Sequence, residues 1–400
     1  MQMKIRPENV RWYWWLGGMP LALMLFACGL LSGETISVEG LTVTDVDKLD
    51  LPPSPFVQAY LSPDGERLVW RDGNEVCIGD ASADDELCIE PEISMDESSF
   101  TWSPDGRYLA FTENFARHVL EPDLWLLDAG TGDLTNLTDD GVEGGFINSV
   151  QGSGRGSLSL DVYPEWSSDS KQLFFIRVES TEPGQEEVML YSIDIDDQEL
   201  ELLAEWDLRN EEAWMPDRVA WSSDGGLIAY SKSRGPVSGL WVAALEDGEM
   251  DPDRVFRLPW GIDDPDLGEQ DYLVEDLAFS DDGDYLLVSM MNFTGLGGIQ
   301  SRVIDLRDGK NRLIEKPEMT LGAWAPSGAA LAYTVFDPRD PDEAGLYLVQ
   351  EPGEEGERIY SGRFAPPRIG GSIMDWAENN TILGFDPEEM NYVLLKLGDE

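Results

Sequence analysis

The sequence predicts an all-β protein, a seven-bladed β-propeller of four-stranded antiparallel blades, with six or eight blades as the alternative counts. Three observations carry this. A strand–turn–strand motif recurs seven times, patterns for a third and fourth strand follow most copies, and helical periodicity is almost absent between them. The chain has 400 residues, 42% of them hydrophobic, enough for a large core, and a repeat fold absorbs that length as one domain.

The motif is clearest in "TWSPDGRYLAF", which begins at Thr101. Its other copies are "YLSPDGERLVW" at Tyr60, "EWSSDSKQLFF" at Glu165, "AWSSDGGLIAY" at Ala220, "AFSDDGDYLLV" at Ala278, "AWAPSGAALAY" at Ala323 and "DWAENNTILGF" at Asp375. Successive copies start 41 to 64 residues apart, the period of a propeller blade with variable loops. The turn follows from its residues. Ser or Asp suits the first position, Pro presets φ at the second, and Gly supplies the left-handed conformation that closes it. Ser170 and Asn380 stand where other copies carry Gly. Before each turn comes a large apolar residue: Leu61, Trp102, Trp166, Trp221, Phe279, Trp324 or Trp376. Seven equivalent bulky side chains are expected to fill the spaces between neighbouring sheets, as core rather than as a ligand cage.

Third strands follow in "DLWLLD" (123–128), "MLYSID" (189–194), "GLWVAAL" (239–245), "SRVIDL" (301–306) and "GLYLVQ" (345–350), and fourth strands after short turns, as in "AGTGDLTNLT". After the last motif only "NYVLLKL" (391–397) remains, which leaves that blade one strand short. An open edge exposes unpaired backbone groups. The alternating segment "TISVEGLTVTD" (35–45) is expected to supply the missing outer strand.

The string "WSPDGRYLAF…DLWLLDAGTGDLTNLT" resembles the repeat of TolB-type propellers, the WD40-like or PD40 repeat, over residues 56 to 398. The resemblance implies the propeller fold and leaves function open, because such propellers serve both as periplasmic binding proteins and as non-catalytic domains of peptidases. Seven motifs set the chain apart from TolB itself, which has six blades and a separate N-terminal domain.

Lys4, Arg6 and Arg11 precede "WYWWLGGMPLALMLFACGLL", an apolar run of 20 residues ending at Leu31. It reads as a signal peptide or a membrane anchor. Leu25, Phe26, Ala27 and Cys28 resemble the lipobox of bacterial lipoproteins, which implies lipidation of Cys28; the alternative is an uncleaved transmembrane helix. Either way, the positive flank stays inside and the remainder is extracytoplasmic. The expected division is a signal or anchor at 1–31, a linker with the ring-closing strand at 32–55, and the propeller at 56–400.

The other cysteines, Cys77 and Cys88, lie in "EVCIGDASADDELCIE". If "ASADD" is a hairpin loop they face each other on adjacent strands and a disulfide forms; the alternative is two small buried thiols. The net charge of −52, from 79 acidic against 27 basic residues, argues against nucleic acid.

Propeller geometry sends the turns between strands one and two and between three and four to one face, and the remaining connections to the other. The first set is short. The second is long, including 139–164, 205–218, 258–276, 292–300 and 337–345. Long loops on a rigid scaffold are where binding surfaces usually lie, so this face is the expected functional one. Its anchor candidates are Trp206, Arg209, Trp214, Trp260, Tyr272 and Phe293, against the alternative that loop aromatics tuck onto the blades below. Two acidic runs, Asp263, Asp264 and Asp266, and Asp194, Asp196 and Asp197, offer oxygen ligands for Ca²⁺, but neither has EF-hand spacing, and solvated loop acid is the plainer reading. With a single histidine, His118, and no G-x-S-x-G, the sequence gives no catalytic residues, cofactor or metal. The expectation is a membrane-anchored, extracytoplasmic module that binds a protein or peptide, or second a carbohydrate, with no chemistry of its own. The competing class is a propeller that binds or cleaves glycans with loop carboxylates and aromatics.

Overall fold

The computed structural model describes residues 36–51, 58–72, 74–81, 86–93, 95–113, 122–139, 158–180, 186–206, 216–232, 239–246, 249–256, 272–292, 299–307, 312–314, 319–337, 340–364 and 374–399. They form seven four-stranded antiparallel sheets and, among the described residues, no helix. The first strands of blades one to seven are Ala59–Leu61, Met95–Trp102, Leu158–Trp166, Arg218–Trp221, Tyr272–Phe279, Met319–Trp324 and Asp375–Trp376. In six blades the four strands pair in chain order. In blade seven the outer position is taken by Leu41–Lys48, which pairs antiparallel with Asn391–Asp399. The closing strand thus starts later than the alternation at 35–45 suggests, because Gly40, at φ 81°, turns the chain into the strand only there.

The core lies between blades. Seven buried clusters correspond to the seven inter-blade spaces, and the last joins Leu61, Leu68 and Trp70 of blade one to Leu383, Phe385 and Leu394 of blade seven. That contact closes the ring. The bulky pre-turn residues sit in these spaces, and three of them also stitch one blade to the next. The indole Nε1 of Trp102 donates to the Tyr60 carbonyl (3.3 Å), that of Trp166 to Thr101 (3.1 Å) and that of Trp324 to Ala278 (3.0 Å). Trp221 and Trp376 occupy the same position but leave their buried Nε1 groups without an acceptor.

The repeated turn is held from inside. In blade two, Ser103 Oγ donates to Asp105 Oδ1 (2.6 Å) and accepts from the Tyr108 N–H (2.9 Å), while Asp105 Oδ1 also accepts from the Arg107 N–H (3.1 Å). The same Ser–Asp arrangement recurs at Ser62, Ser167, Ser222 and Ser280. The closing residue is left-handed in each copy: Gly65, Gly106, Gly225, Gly283 and Gly328 have φ between 65° and 78°, and their replacements Ser170 and Asn380 lie at 61° and 59°. Neighbouring turns then bond to each other, as Ser170 Oγ does to the Asp105 N–H (3.0 Å), Ser223 Oγ to the Asp281 carbonyl (3.4 Å) and the Glu378 N–H to the Pro63 carbonyl (2.7 Å). The short-turn face is a bonded rim with little freedom to reshape.

Candidate functional site: the ring axis beneath the long-loop face

Most of the long-loop face lies outside the described residues, and with it Arg209, Trp214, Trp260, Phe293, the acidic run 263–266 and Cys28. Tyr272 begins the first strand of blade five. Trp206 is not a surface anchor. Strand pairing in blade three continues through Leu200–Trp206, and its indole, 6% exposed, packs edge-on against Tyr230 with ring centroids 4.6 Å apart. Asp194 is engaged in a turn, where its Oδ1 accepts the N–H groups of Asp196 (2.9 Å) and Asp197 (3.2 Å). Cys77 and Cys88 are direct cross-strand neighbours in blade one and form a disulfide. It ties the three-residue outer strand Leu87–Ile89 to the sheet.

The described residues that converge are on the innermost strands. Blade three's inner strand carries a bulge between Val162 and Glu165, with Tyr163 at φ 58°. A left-handed aromatic residue is strained, at a cost of roughly 1–3 kcal/mol, and bulges re-aim the side chains beside them. Tyr163 donates from its hydroxyl to the Pro216 carbonyl (2.9 Å), and burial pushes its phenol up to about 12. Two residues on, Glu165 accepts from the Thr101 hydroxyl of blade two (3.3 Å) and from the Trp166 N–H (3.4 Å), both at Oε1. Among the described residues, Oε2 accepts no hydrogen bond and no cation pairs with this carboxylate. Burial, with Asp276 of blade five adding repulsion, raises Glu165 to about 7. Some of its surface remains accessible, on the innermost strand of blade three.

The other axial charges are already matched. Asp161, 2% exposed, forms a two-pronged pair with Arg177 (both contacts 2.7 Å). Arg218 of blade four reaches blade five through the Glu275 carbonyl (2.7 Å) and carboxylate (3.8 Å). Asp375, at the position in blade seven that Glu165 holds in blade three, accepts the Leu61 N–H (3.0 Å). Among the described residues, Glu165 is thus an inner-strand acid with no ion-pair partner, held by two hydrogen bonds to one oxygen. Sequence reasoning missed it although it opens the third motif copy, because the hydroxyl it meets, that of Thr101, comes from a blade 64 residues away in the chain.

A second feature sits at the outer seam of blades six and seven, where Lys48, Arg363, Tyr360 and Phe364 line a cleft. Both its cations face acids: Lys48 pairs with Glu389, and Arg363 lies 4.0 Å from Glu388.

Fold and site together define a closed seven-bladed β-propeller with one tight rim and an acidic axis. No protein-family model matches the chain, and no curated protein sequence matches it. Among solved structures it is similar to an oligogalacturonate lyase in complex with manganese, at 14% identity over 90% of this chain and 97% of that one, with a TM-score of 0.55. It is also similar to Kuenenia stuttgartiensis hydrazine synthase (13% identity, 88% and 98% covered, TM-score 0.52) and to TolB from Acinetobacter baumannii (15%, 76% and 65%, TM-score 0.39). Likeness at such identities shows the fold alone. It does overturn one expectation from the sequence. Propellers of this fold over nearly the same length include enzymes, so the missing histidines and hydrolase motifs give no ground for reading the chain as a non-enzyme.

Proposed function

We infer that the chain is an extracytoplasmic propeller, anchored through residues 1–31, that holds a protein or peptide partner on its long-loop face. One observation carries the reading, the contrast between the faces. The short-turn rim is bonded to itself by Ser–Asp turns and inter-blade hydrogen bonds, while on the opposite side 21 residues separate the strand ending at Asn136 from the one beginning at Leu158. Chain length of that order serves no purpose in closing a blade and is the usual source of recognition surface. Trp214, Trp260 and Phe293, with Arg209 and Tyr272, are the side chains of the type that anchors such contacts. With a net charge of −52, neutral or cationic partners are favoured over anionic ones.

The test is a pull-down from detergent-solubilised native membranes. The full chain serves as bait beside a version with residues 258–270 replaced by a Gly-Ser segment of equal length. One stoichiometric protein, recovered by the first and lost with the second, is the expected result. Equal recovery by both baits, or none by either, would remove the reading.

A further inference from the structure

We propose that the cleft between blades six and seven, floored by Tyr360 and Phe364, binds a pyranose ring of a neutral glycan. The sugar stacks on the aromatic floor, and its hydroxyls bond to Lys48, Arg363, Glu388 and Glu389 on the walls. This goes beyond the partner reading above, and neither depends on the other.

The cleft opens where strands end on the long-loop side. Lys48 ends the closing strand and pairs with Val393, near the start of the third strand of blade seven. The turn from Asp386 to Asn391 joins the second and third strands of that blade, and Ser361 ends the outer strand of blade six. These three chain ends lie at the side of the blades opposite the Ser–Asp turns. The cleft has a volume of about 280 Å³, close to the lower end of small-molecule sites at roughly 300–1,000 Å³. That suits one or two sugar rings.

Missing side chains make room for the floor. The rings of Tyr360 and Phe364 are half-buried, with centroids 5.7 Å apart. A methyl group at Gly362 would lie 3.0 Å from the Tyr360 ring and one at Gly384 3.0 Å from the Phe364 ring, so each ring has its place because the residue beside it lacks a Cβ. An aromatic face is electron-rich and attracts the C–H bonds of a sugar. The walls carry donors and acceptors in matched pairs. Lys48 bonds to Glu389, and Arg363 lies 4.0 Å from Glu388. Both acids are fixed by their turn, in which Asp386 Oδ1 accepts the N–H groups of Glu388 (2.8 Å) and Glu389 (3.2 Å). A charged ligand would have to break one of the pairs. A neutral polyol does not, because a hydroxyl both donates and accepts, an ammonium has three N–H donors and a carboxylate two oxygens, so the pairs bond to it while intact. All four wall side chains are about half exposed or more, so meeting a ligand costs them little desolvation.

Saturation-transfer NMR of the full chain, in a detergent without a sugar headgroup, tests this with maltotriose, cellotriose, mannotriose and galactotriose, beside trigalacturonate and a blocked Gly-Phe-Gly peptide. At least one neutral trisaccharide is expected to receive saturation, strongest on its ring C–H protons, as stacking requires. Tyr360→Ala is expected to weaken that binding about tenfold, and Glu388→Ala about threefold. Near-UV circular dichroism establishes that Tyr360→Ala is folded, and Glu388→Ala, at a side chain 70% exposed, serves if it is not. Retention of the chain on the polymer of the same sugar identifies a polysaccharide, and binding of the trisaccharide without it a free oligosaccharide; both uphold the site. The proposal is overturned if no neutral trisaccharide binds at millimolar concentration, if only trigalacturonate or the peptide does, or if both variants bind as the parent does. The 258–270 replacement contains no residue of the cleft, so a partner lost there and a sugar lost here are separate results.

Discussion

At the scale of single residues, Glu165 ties stability to pH in a way most carboxylates do not. Its folded-state value of about 7 lies above the ordinary 4.5, so between these limits the native state holds a proton that the unfolded chain has already lost. Stability therefore falls as pH rises from 4.5 to 7 and is flat beyond. The full shift corresponds to on the order of 3 kcal/mol. Glu165→Gln is expected to remove the slope, leaving the variant more stable than the parent at pH 8 and equal to it near pH 4, as urea midpoints at the two pH values report. Asp161 differs in that its charge is matched by Arg177. Asp161→Asn strands the partly buried Arg177 guanidinium and is expected to cost about 3 kcal/mol at neutral pH, read from the same midpoints.

Elements explain which of these features the sequence could announce. The hairpin turn is local: in five copies a Ser and an Asp two residues on bond each other, and the closing residue is left-handed in all seven, even where it is Ser170 or Asn380. The end of a strand is less local. The segment at Trp206 reads as loop because Leu200 and Leu202 are both exposed and the alternation is broken by a bulge; pairing with the strand Glu186–Asp194, together with Tyr230 across the blade gap, carries the strand on to Trp206. Inter-blade bonding is not legible at all. Trp166 and Trp221 look alike in sequence, yet one indole N–H finds a carbonyl and the other does not. Trp166→Phe is expected to destabilise by about 1 kcal/mol more than Trp221→Phe, since both lose similar volume but only the first loses a hydrogen bond. Thermal or urea unfolding of the two variants side by side decides it.

For the whole molecule, the ring is held shut by a strand from the opposite end of the chain. Leu41–Lys48 covers the edge of Asn391–Asp399, and Val38 and Leu41 join the core between blades six and seven. Deleting residues 36–48 is expected to uncover that edge and lower the melting temperature by many degrees, with concentration-dependent aggregation that light scattering detects. A closed, self-bonded rim on one side supports the proposal that the protein meets its partner on the other. That claim is tested most directly by photo-crosslinking in native membranes, with the reactive amino acid placed at Trp260 in one version and at Asp224 in another. A discrete adduct from Trp260 and none from Asp224 is the expected result; an adduct from Asp224 alone would contradict the assignment of the face.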